Sequence, residues 1–139
     1  MICTFFGHRD TPESVAERLN EVLIDLIENK NVDLFYVGNQ GNFDLLVINN
    51  LKRLKCKYPH IRYSVALAYL TKNNEYTNSI YPEGLEYAPP KYAIDRRNRW
   101  MIERADYVVT YVKCGFGGAA KFKLLAENKG KFVINLAEK

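Results

Sequence analysis

The chain has 139 residues, of which 47% are hydrophobic and 26% charged, and this size and composition predict one soluble globular domain. The net charge of +4 is mild, so it does not predict a basic tail for nucleic acid. No apolar run approaches the ~20 residues that span a bilayer, and no membrane partner is expected.

The cysteines and the first residues indicate the compartment. Cys3, Cys56 and Cys114 lie far apart, with no CxxC pair and no nearby histidine ligand pattern, so neither a disulfide framework nor a zinc site is expected. The opening MICTFFGH is too short and too soon interrupted for a signal peptide. We therefore expect a reducing, cytoplasmic location and no required cofactor.

Two strands and two helices are predicted in the first half of the chain. The apolar run at 2–6 predicts a buried strand, and a helix follows, with Asp10 or Thr11 as its cap and Pro12 in its first turn. Its apolar stripe consists of Val15, Leu19, Val22, Leu23, Leu26 and Ile27. A second strand at 33–38 leads into a second helix. The stripe of that helix consists of Phe43, Leu46, Val47, Leu51 and Leu54.

The second half continues the alternation after one long interruption. A third strand is predicted at 61–70, and the stretch 71–92, rich in Asn, Tyr and Pro, has the length of a functional or mobile loop. A helix at 93–105, a strand at 106–112, a helix at 117–128 and a fifth strand at 131–136 follow.

The strands are apolar throughout rather than alternating, which is typical of a parallel sheet covered on both faces. We expect a Rossmann-like three-layer α/β/α fold with a five-stranded parallel sheet in the order 3-2-1-4-5. In such sheets, ligands bind outside the carboxyl ends of the strands where the order reverses, here between strands 1 and 4.

Three glycine-containing loops are expected to meet at that point. Their candidate ligand contacts are Gly7, His8 and Arg9, then Gly38, Asn39, Gln40 and Gly41, then Gly115, Gly117 and Gly118. Amides at a helix start favour an anion, so we predict phosphate at Gly117 and Gly118, with a charge-assisted contact from Arg9. Close packing would also explain a Gly-Gly pair. Neither GxGxxG after the first strand nor GxxxxGK[ST] is present.

Several polar residues have two interpretations. Arg96 and Arg99 share a helix face, and they either form a solvated basic helix start or reach the phosphates or ribose of a ligand. Asp44 either accepts from a ribose hydroxyl or favours the positive end of its helix. His8 fits a hydrogen-bonding loop residue better than a base, and Cys114 has no visible base partner for a nucleophilic role.

Five ordered blocks cover nearly the whole chain. They are TFFGHRD at 4–10, YVGNQGNFD at 36–44, YPEGLE at 81–86, AIDRRNRWMIERADYVVTYV at 93–112 and GGAAK at 117–121. Together they resemble the SLOG superfamily, a Rossmann-like group that includes DprA and the LOG-type nucleoside-monophosphate phosphoribohydrolases, and in particular its YpsA-like branch of bacterial and phage proteins. The resemblance implies a nucleotide-like ligand, such as an ADP-ribose-type molecule. Members of the superfamily serve as sensors of nucleotide signals, as DNA-binding factors or as hydrolases.

The LOG-type enzymes have a two-part motif, and this chain matches its first part. That part is an arginine four residues before a methionine, in a helix followed by AD. Arg97, Met101 and the AD at 105–106 match it, which makes Arg97 a further candidate ligand contact.

The second part, PGGxGTxxE, is not matched. Aligning Gly117 and Gly118 with its GG pair puts Leu124 at the catalytic glutamate, and an alignment through Gly115 puts Phe122 there. Neither side chain can transfer a proton, so the resemblance implies binding without the known catalysis.

The expected function is binding of a nucleotide or nucleotide-derived signalling ligand, as a sensor or a sequestering protein. The long loop at 71–92, with Tyr76, Tyr81, Glu83 and Glu86, would cover the base or a second ribose. One alternative is an N-glycosidic hydrolase that uses Glu83 or Glu86 of that loop. Another is a DprA-like binder of single-stranded nucleic acid, which the +4 charge disfavours. A homodimer or higher homo-oligomer is also expected, because exposed aromatic side chains such as Trp100 favour a partner surface.

Overall fold

The computed structural model describes residues 1–69 and 79–138, apart from the side chain of residue 86. The strands are β1 Ile2–Gly7, β2 Leu34–Val37, β3 Arg62–Ala66, β4 Ser79–Ile80, β5 Tyr107–Tyr111 and β6 Phe132–Asn135. The α-helices are α1 Val15–Asn29, α2 Asn42–Lys57, α3 Ala93–Arg104 and α4 Gly118–Asn128. Two 3-10 helices, Leu85–Tyr87 and Pro90–Tyr92, precede α3. None of the described helices is long and apolar enough to cross a membrane.

The sheet is parallel throughout, in the order β4-β3-β2-β1-β5-β6. This confirms an α/β fold with a parallel sheet and the order of the five predicted strands. The predicted strand number was wrong, because β4 adds a sixth strand beside β3. Ser79 and Ile80 pair with Val65 and Ala66. A two-residue strand has too few side chains to show a periodicity, so only its pairing identifies it.

Helices cover both faces of the sheet, which makes three layers. Alternate residues of a strand point to opposite faces, and in β1 the neighbours Phe5 and Phe6 belong to two different cores. Helices α1 and α2 bury Leu19, Leu23, Val47 and Leu51 on the Phe5 side. Helices α3 and α4 bury Met101, Ile102, Phe122 and Ala126 on the Phe6 side.

Two segments differ from the expectations. Strand β3 ends at Ala66 rather than near residue 70. Helix α1 begins at Val15, and Thr11 does not cap it. The buried Thr11 hydroxyl donates instead to the His8 carbonyl oxygen at 2.5 Å, which closes a turn directly after β1. The predicted loop 71–92 lies partly outside the described residues, and its described part contains β4 and the two 3-10 helices.

Candidate functional site

A cavity of about 270 Å³ lies at the carboxyl edge of the sheet, where the strand order reverses between β1 and β5. The loop after β1 lines it with Gly7, His8 and Arg9, and the loop after β2 with Gly38 and Gln40. The helices add Asp44 from α2, Arg97 and Asn98 from α3, and Gly118 and Ala119 from α4. The three loops predicted to meet therefore do meet.

The loops after β1 and β2 are in direct contact. The Asn42 amide donates to the Arg9 carbonyl oxygen at 2.9 Å. Gly41 has a φ of 94°, and a Cβ at this position would lie 2.7 Å from the Arg9 Cα. Only glycine allows both this φ and this close approach to the Arg9 backbone, so Gly41 is required for the contact between the two loops. Gly41 itself does not line the cavity.

His8 connects the loop after β1 with the loop after β5. Its Nε2 accepts from the Lys113 amide at 2.9 Å, and its own amide donates to the Tyr111 carbonyl oxygen at 3.3 Å. The Cys114 Sγ lies 3.9 Å from the same Nε2. His8 is thus a hydrogen-bonding loop residue, which is the interpretation that the sequence favoured. Contrary to the sequence interpretation, an imidazole does lie beside Cys114, and only the fold brings these residues together.

Two glycines of the cavity wall make room for side chains. A Cβ at Gly7 would lie 2.3 Å from the Phe43 Cγ, so Gly7 allows the Phe43 ring to pack under the loop. A Cβ at Gly38 would lie 2.9 Å from the Asp44 Oδ2. Both positions are therefore explained by packing, in addition to any approach of a ligand.

Asp44 is a buried carboxylate in the first turn of α2. Its Oδ2 accepts from the Gln40 amide at 2.9 Å. Burial raises the pKa of Asp44 to about 6, although the Gln40 hydrogen bond and the charge of Arg97 both act to lower it. The two interpretations of Asp44 do not exclude each other, because this carboxylate both lies in the first turn of the helix and lines the cavity.

Arg97 is a fixed cation in the cavity wall, with only 2% of its surface exposed. Its Nη1 donates to the Ala66 carbonyl oxygen at 2.7 Å and to the Asn39 Oδ1 at 3.3 Å, and its Nε donates to the Asn98 Oδ1 at 2.7 Å. Burial lowers the pKa of Arg97, while the charge of Asp44 acts in the opposite direction. Asn39 thus holds the guanidinium rather than lining the cavity.

Arg96 and Arg99 lie elsewhere. They line a separate cavity of about 470 Å³, together with Glu83, Trp100 and Glu103. Arg99 is paired with Asp95, its Nε 2.8 Å from the Asp95 Oδ1. Burial acts to raise the pKa of Asp95, but the hydrogen bonds and charges of Arg99 and Lys121 outweigh it and lower that pKa. Arg96 and Arg99 do not line the first cavity, because they lie on another face of α3, and their contact with a ligand stays a prediction.

The described residues among those predicted on the long loop do not line the first cavity. Glu83 is exposed at the second cavity, and the side chain of Glu86 lies outside what the structure describes. Tyr76 also lies outside the described residues. Tyr81 is half-buried and packs against the hydrophobic core.

The glycines before α4 lie in open space. A Cβ at Gly115, Gly117 or Gly118 would meet no atom within 4 Å. Gly117 has a φ of 98° and precedes the helix, and Gly118 begins it. Gly118 lines the cavity, whereas Gly115 and Gly117 lie outside the lining. Between them the Phe116 side chain is 78% exposed.

The sequence interpretation missed Asn98, Ile94 and Phe122, all of which line the cavity. A signal for two of them was present. Ile94, Asn98 and Met101 form an i, i+4, i+7 stripe on one helix face. Arg97 lies three residues after Ile94 and four before Met101 on the same side, so assigning Arg97 to the site would have brought them in.

No protein-family model matches the chain, and a search of curated proteins finds no match. Among the described residues, no group of three or more His, Cys, Asp or Glu side chains could hold a metal ion.

Proposed function

We propose that this chain binds a nucleotide or nucleotide-derived signalling molecule of the ADP-ribose type, and senses or sequesters it without cleaving it. The observation that carries the proposal is the composition of one cavity. Its walls combine the start of α4 with the buried Asp44 and Arg97 at the reversal of the strand order. Clefts of this kind are the usual ligand sites of open parallel sheets.

The phosphate belongs at the start of α4. The first amides of a helix have no partner within the helix, and the helix dipole adds a partial positive charge behind them. Gly118 and Ala119 line the cavity, and no side chain atom would meet a Cβ at Gly118. Arg9, exposed at the same cavity, supplies a counter-charge for the anion.

The ribose belongs on the opposite wall. Asp44 has one carboxylate oxygen engaged by the Gln40 amide, and a carboxylate has acceptor capacity for further hydroxyl groups. Asn98 and Gln40 line the same wall, where their amide groups can donate and accept. Arg97 holds this wall in place through the end of β3, so the polar groups are arranged before a ligand arrives.

The volume limits what the cavity can enclose. Small-molecule sites usually measure roughly 300–1,000 Å³, and this one is about 270 Å³. It therefore suits one ribose-phosphate unit. A larger ligand would extend past the open glycines toward the exposed Phe116.

Thermal unfolding with a ligand panel tests the proposal. ADP-ribose, a nucleoside monophosphate, ribose 5-phosphate and unphosphorylated adenosine are each added to the full chain. Binding to the folded state stabilises it by about 2.7 kcal/mol at 100 times Kd, which raises the melting temperature by several degrees. The phosphorylated compounds should produce this shift and be recovered intact. If none of them does, the chain is not a nucleotide binder.

The raised pKa of Asp44 supports a second candidate, an N-glycosidic hydrolase. A carboxyl group that titrates near pH 6 inside a cavity is suited to proton transfer. Asp44 replaces Glu83 in this role, because Glu83 lies at the other cavity. Leu124, at the position of the LOG-type glutamate, is 58% exposed. Chromatography after incubation with each ligand distinguishes the two functions. Release of free base by the wild-type chain, and its loss in Asp44→Asn, would establish hydrolysis. Recovery of intact ligand would exclude it.

We place this function in the cytoplasm on the basis of the thiols. Cys3, Cys56 and Cys114 are all free. Free thiols are typical of a reducing compartment.

A further inference from the structure

Helix α3 has an outer face directed away from the nucleotide cavity, formed by Asp95, Arg96, Arg99, Trp100, Glu103 and Arg104. Arg96, Arg99, Glu103 and Arg104 are exposed, and Asp95 and Trp100 are half-buried. On the opposite side of the helix, Arg97 and Asn98 line the nucleotide cavity. A partner on the outer face would therefore leave that cavity open.

The charges of the outer face are self-complementary when the helix is read against a reversed copy of itself. The sequence DRRNRWMIER at 95–104 has its centre between Arg99 and Trp100. Reversal about that centre puts Arg96 opposite Glu103, which carry opposite charges. These two residues are seven positions apart and lie within about 20° of each other around the helix, so both can face the partner. Asp95 and Arg104 are nine positions apart and lie on opposite flanks of the helix, so they do not form part of the pairing.

We propose that the outer face of α3 is the interface of a homodimer, in which the two α3 helices run antiparallel across a twofold axis near Arg99 and Trp100. An isologous interface uses the same patch on both subunits, so the patch must complement itself under reversal. Arg96 and Glu103 lie seven residues apart, on the same side of the helix and about 10 Å apart along its axis. In the dimer, Arg96 of each protomer therefore lies opposite Glu103 of the partner subunit, so this contact is made twice. A parallel arrangement would put like charges together.

The charges needed for this contact are available. Within the part of the chain that the structure describes, no hydrogen bond or ion pair engages the side chain of Arg96 or the carboxylate of Glu103. By contrast, Asp95 is paired with Arg99, and the Arg104 Cζ lies 4.1 Å from the centre of the Trp100 ring. Arg96 and Glu103 therefore determine the pairing, while the other residues already have partners inside the subunit.

The shape of the face also suits a partner. The cavity of about 470 Å³ beside α3 is bounded by Pro82, Glu83, Gly84 and Leu85, and it contains Trp100. The Trp100 ring is held in place by Tyr36, whose ring centre lies 5.0 Å away. Fixed tryptophan and arginine side chains in a concave surface are typical of the residues that dominate interface affinity. A 12-residue helix is about 18 Å long, so the contact is small and a dissociation constant of roughly micromolar order is expected.

Sedimentation equilibrium of the full chain over a concentration series tests the interface. The wild-type chain should reach a dimer. Arg96→Glu should weaken the dimer by roughly tenfold or more, because it puts two carboxylates opposite each other twice. Glu103→Arg should do the same. The double variant Arg96→Glu/Glu103→Arg exchanges the two charges and should restore dimerisation.

Arg18→Glu is the matched control, since it makes the same change of charge on the exposed surface of α1 and should leave the dimer unchanged. Circular dichroism and the melting temperature show that each variant is folded. A wild-type chain that stays monomeric at the highest attainable concentration overturns the proposal. So does a dimer that both single reversals leave intact, because the chain then associates through another face. Loss of the dimer in the double variant as well rejects the antiparallel pairing.

Discussion

Asp44 and Arg97 lie on the same side of Gly38, which has no side chain to separate them. A Cβ at Gly38 would lie 2.9 Å from the Asp44 Oδ2 and 3.2 Å from the Arg97 Cζ. Their charges influence each other, since Arg97 acts to lower the pKa of Asp44 and Asp44 acts to raise that of Arg97. This wall of the cavity therefore depends on three residues from three separate elements.

Gly38→Ala should disturb this arrangement. The added methyl group enters space that Asp44 and Arg97 occupy, and overpacking of this kind costs roughly 1–3 kcal/mol. Urea denaturation measures the loss in the free energy of unfolding. Gly115→Ala is the control, because its Cβ would meet no atom within 4 Å and its stability should be nearly unchanged. Equal effects of both substitutions would show that the packing around Gly38 is not tight.

Arg97→Met should be strongly destabilising. It removes a buried cation, so the Ala66 carbonyl oxygen loses its hydrogen-bond donor and the Asp44 carboxylate loses a neighbouring positive charge. Removing one member of a buried charged network costs about 3–5 kcal/mol. The neighbouring substitution Arg96→Met concerns an exposed side chain and should change the unfolding free energy by about 0.5 kcal/mol or less. Similar losses for both variants would contradict the burial of Arg97.

The titration of Asp44 should make stability depend on pH. Burial raises its pKa in the folded state from 3.8 to about 6, so the folded state binds the proton more tightly than the unfolded state. The stabilisation by Asp44 is then complete below pH 3.8 and is lost as the pH rises toward 6, by roughly 3 kcal/mol.

Urea denaturation of the wild-type chain and of Asp44→Asn at a series of pH values isolates this effect. The difference between the two unfolding free energies should change between pH 4 and pH 6 and be constant above pH 7. A difference that stays constant over the whole range would mean that Asp44 titrates normally.

Much of the fold could be predicted from the sequence, because the long elements have clear patterns. The apolar runs of β1, β2 and β5 and the stripes of α1 and α2 mark buried strands and helices. The order of these strands follows from parallel pairing with helical crossovers. Strand β4 could not be predicted in this way, since Ser79 and Ile80 form a strand only because β3 offers them an edge.

The site was harder to predict than the fold. Loop positions after β1 and β2 follow from topology, and Gly7, His8, Arg9, Gly38, Gln40 and Asp44 do line the cavity. The three arginines at 96, 97 and 99 show what the sequence pattern could not determine. Periodicity puts Arg96 and Arg99 on a shared face, but it does not tell which face is buried when both carry charge. The hydrogen-bond partners of Arg97, namely Asn98, Asn39 and Ala66, come from three separate parts of the chain, and they determine that Arg97 is the buried arginine.

The central claim is that the amides at the start of α4 bind phosphate, and titration calorimetry of Gly118→Pro tests it most directly. Gly118 is the first residue of α4, where proline is tolerated and removes only an amide that the helix does not use. The wild-type chain should bind ADP-ribose or ribose 5-phosphate and not adenosine. Gly118→Pro should melt at a similar temperature and bind the phosphorylated ligands roughly tenfold or more weakly. Equal affinity in the two proteins, or no binding by either, would contradict the claim.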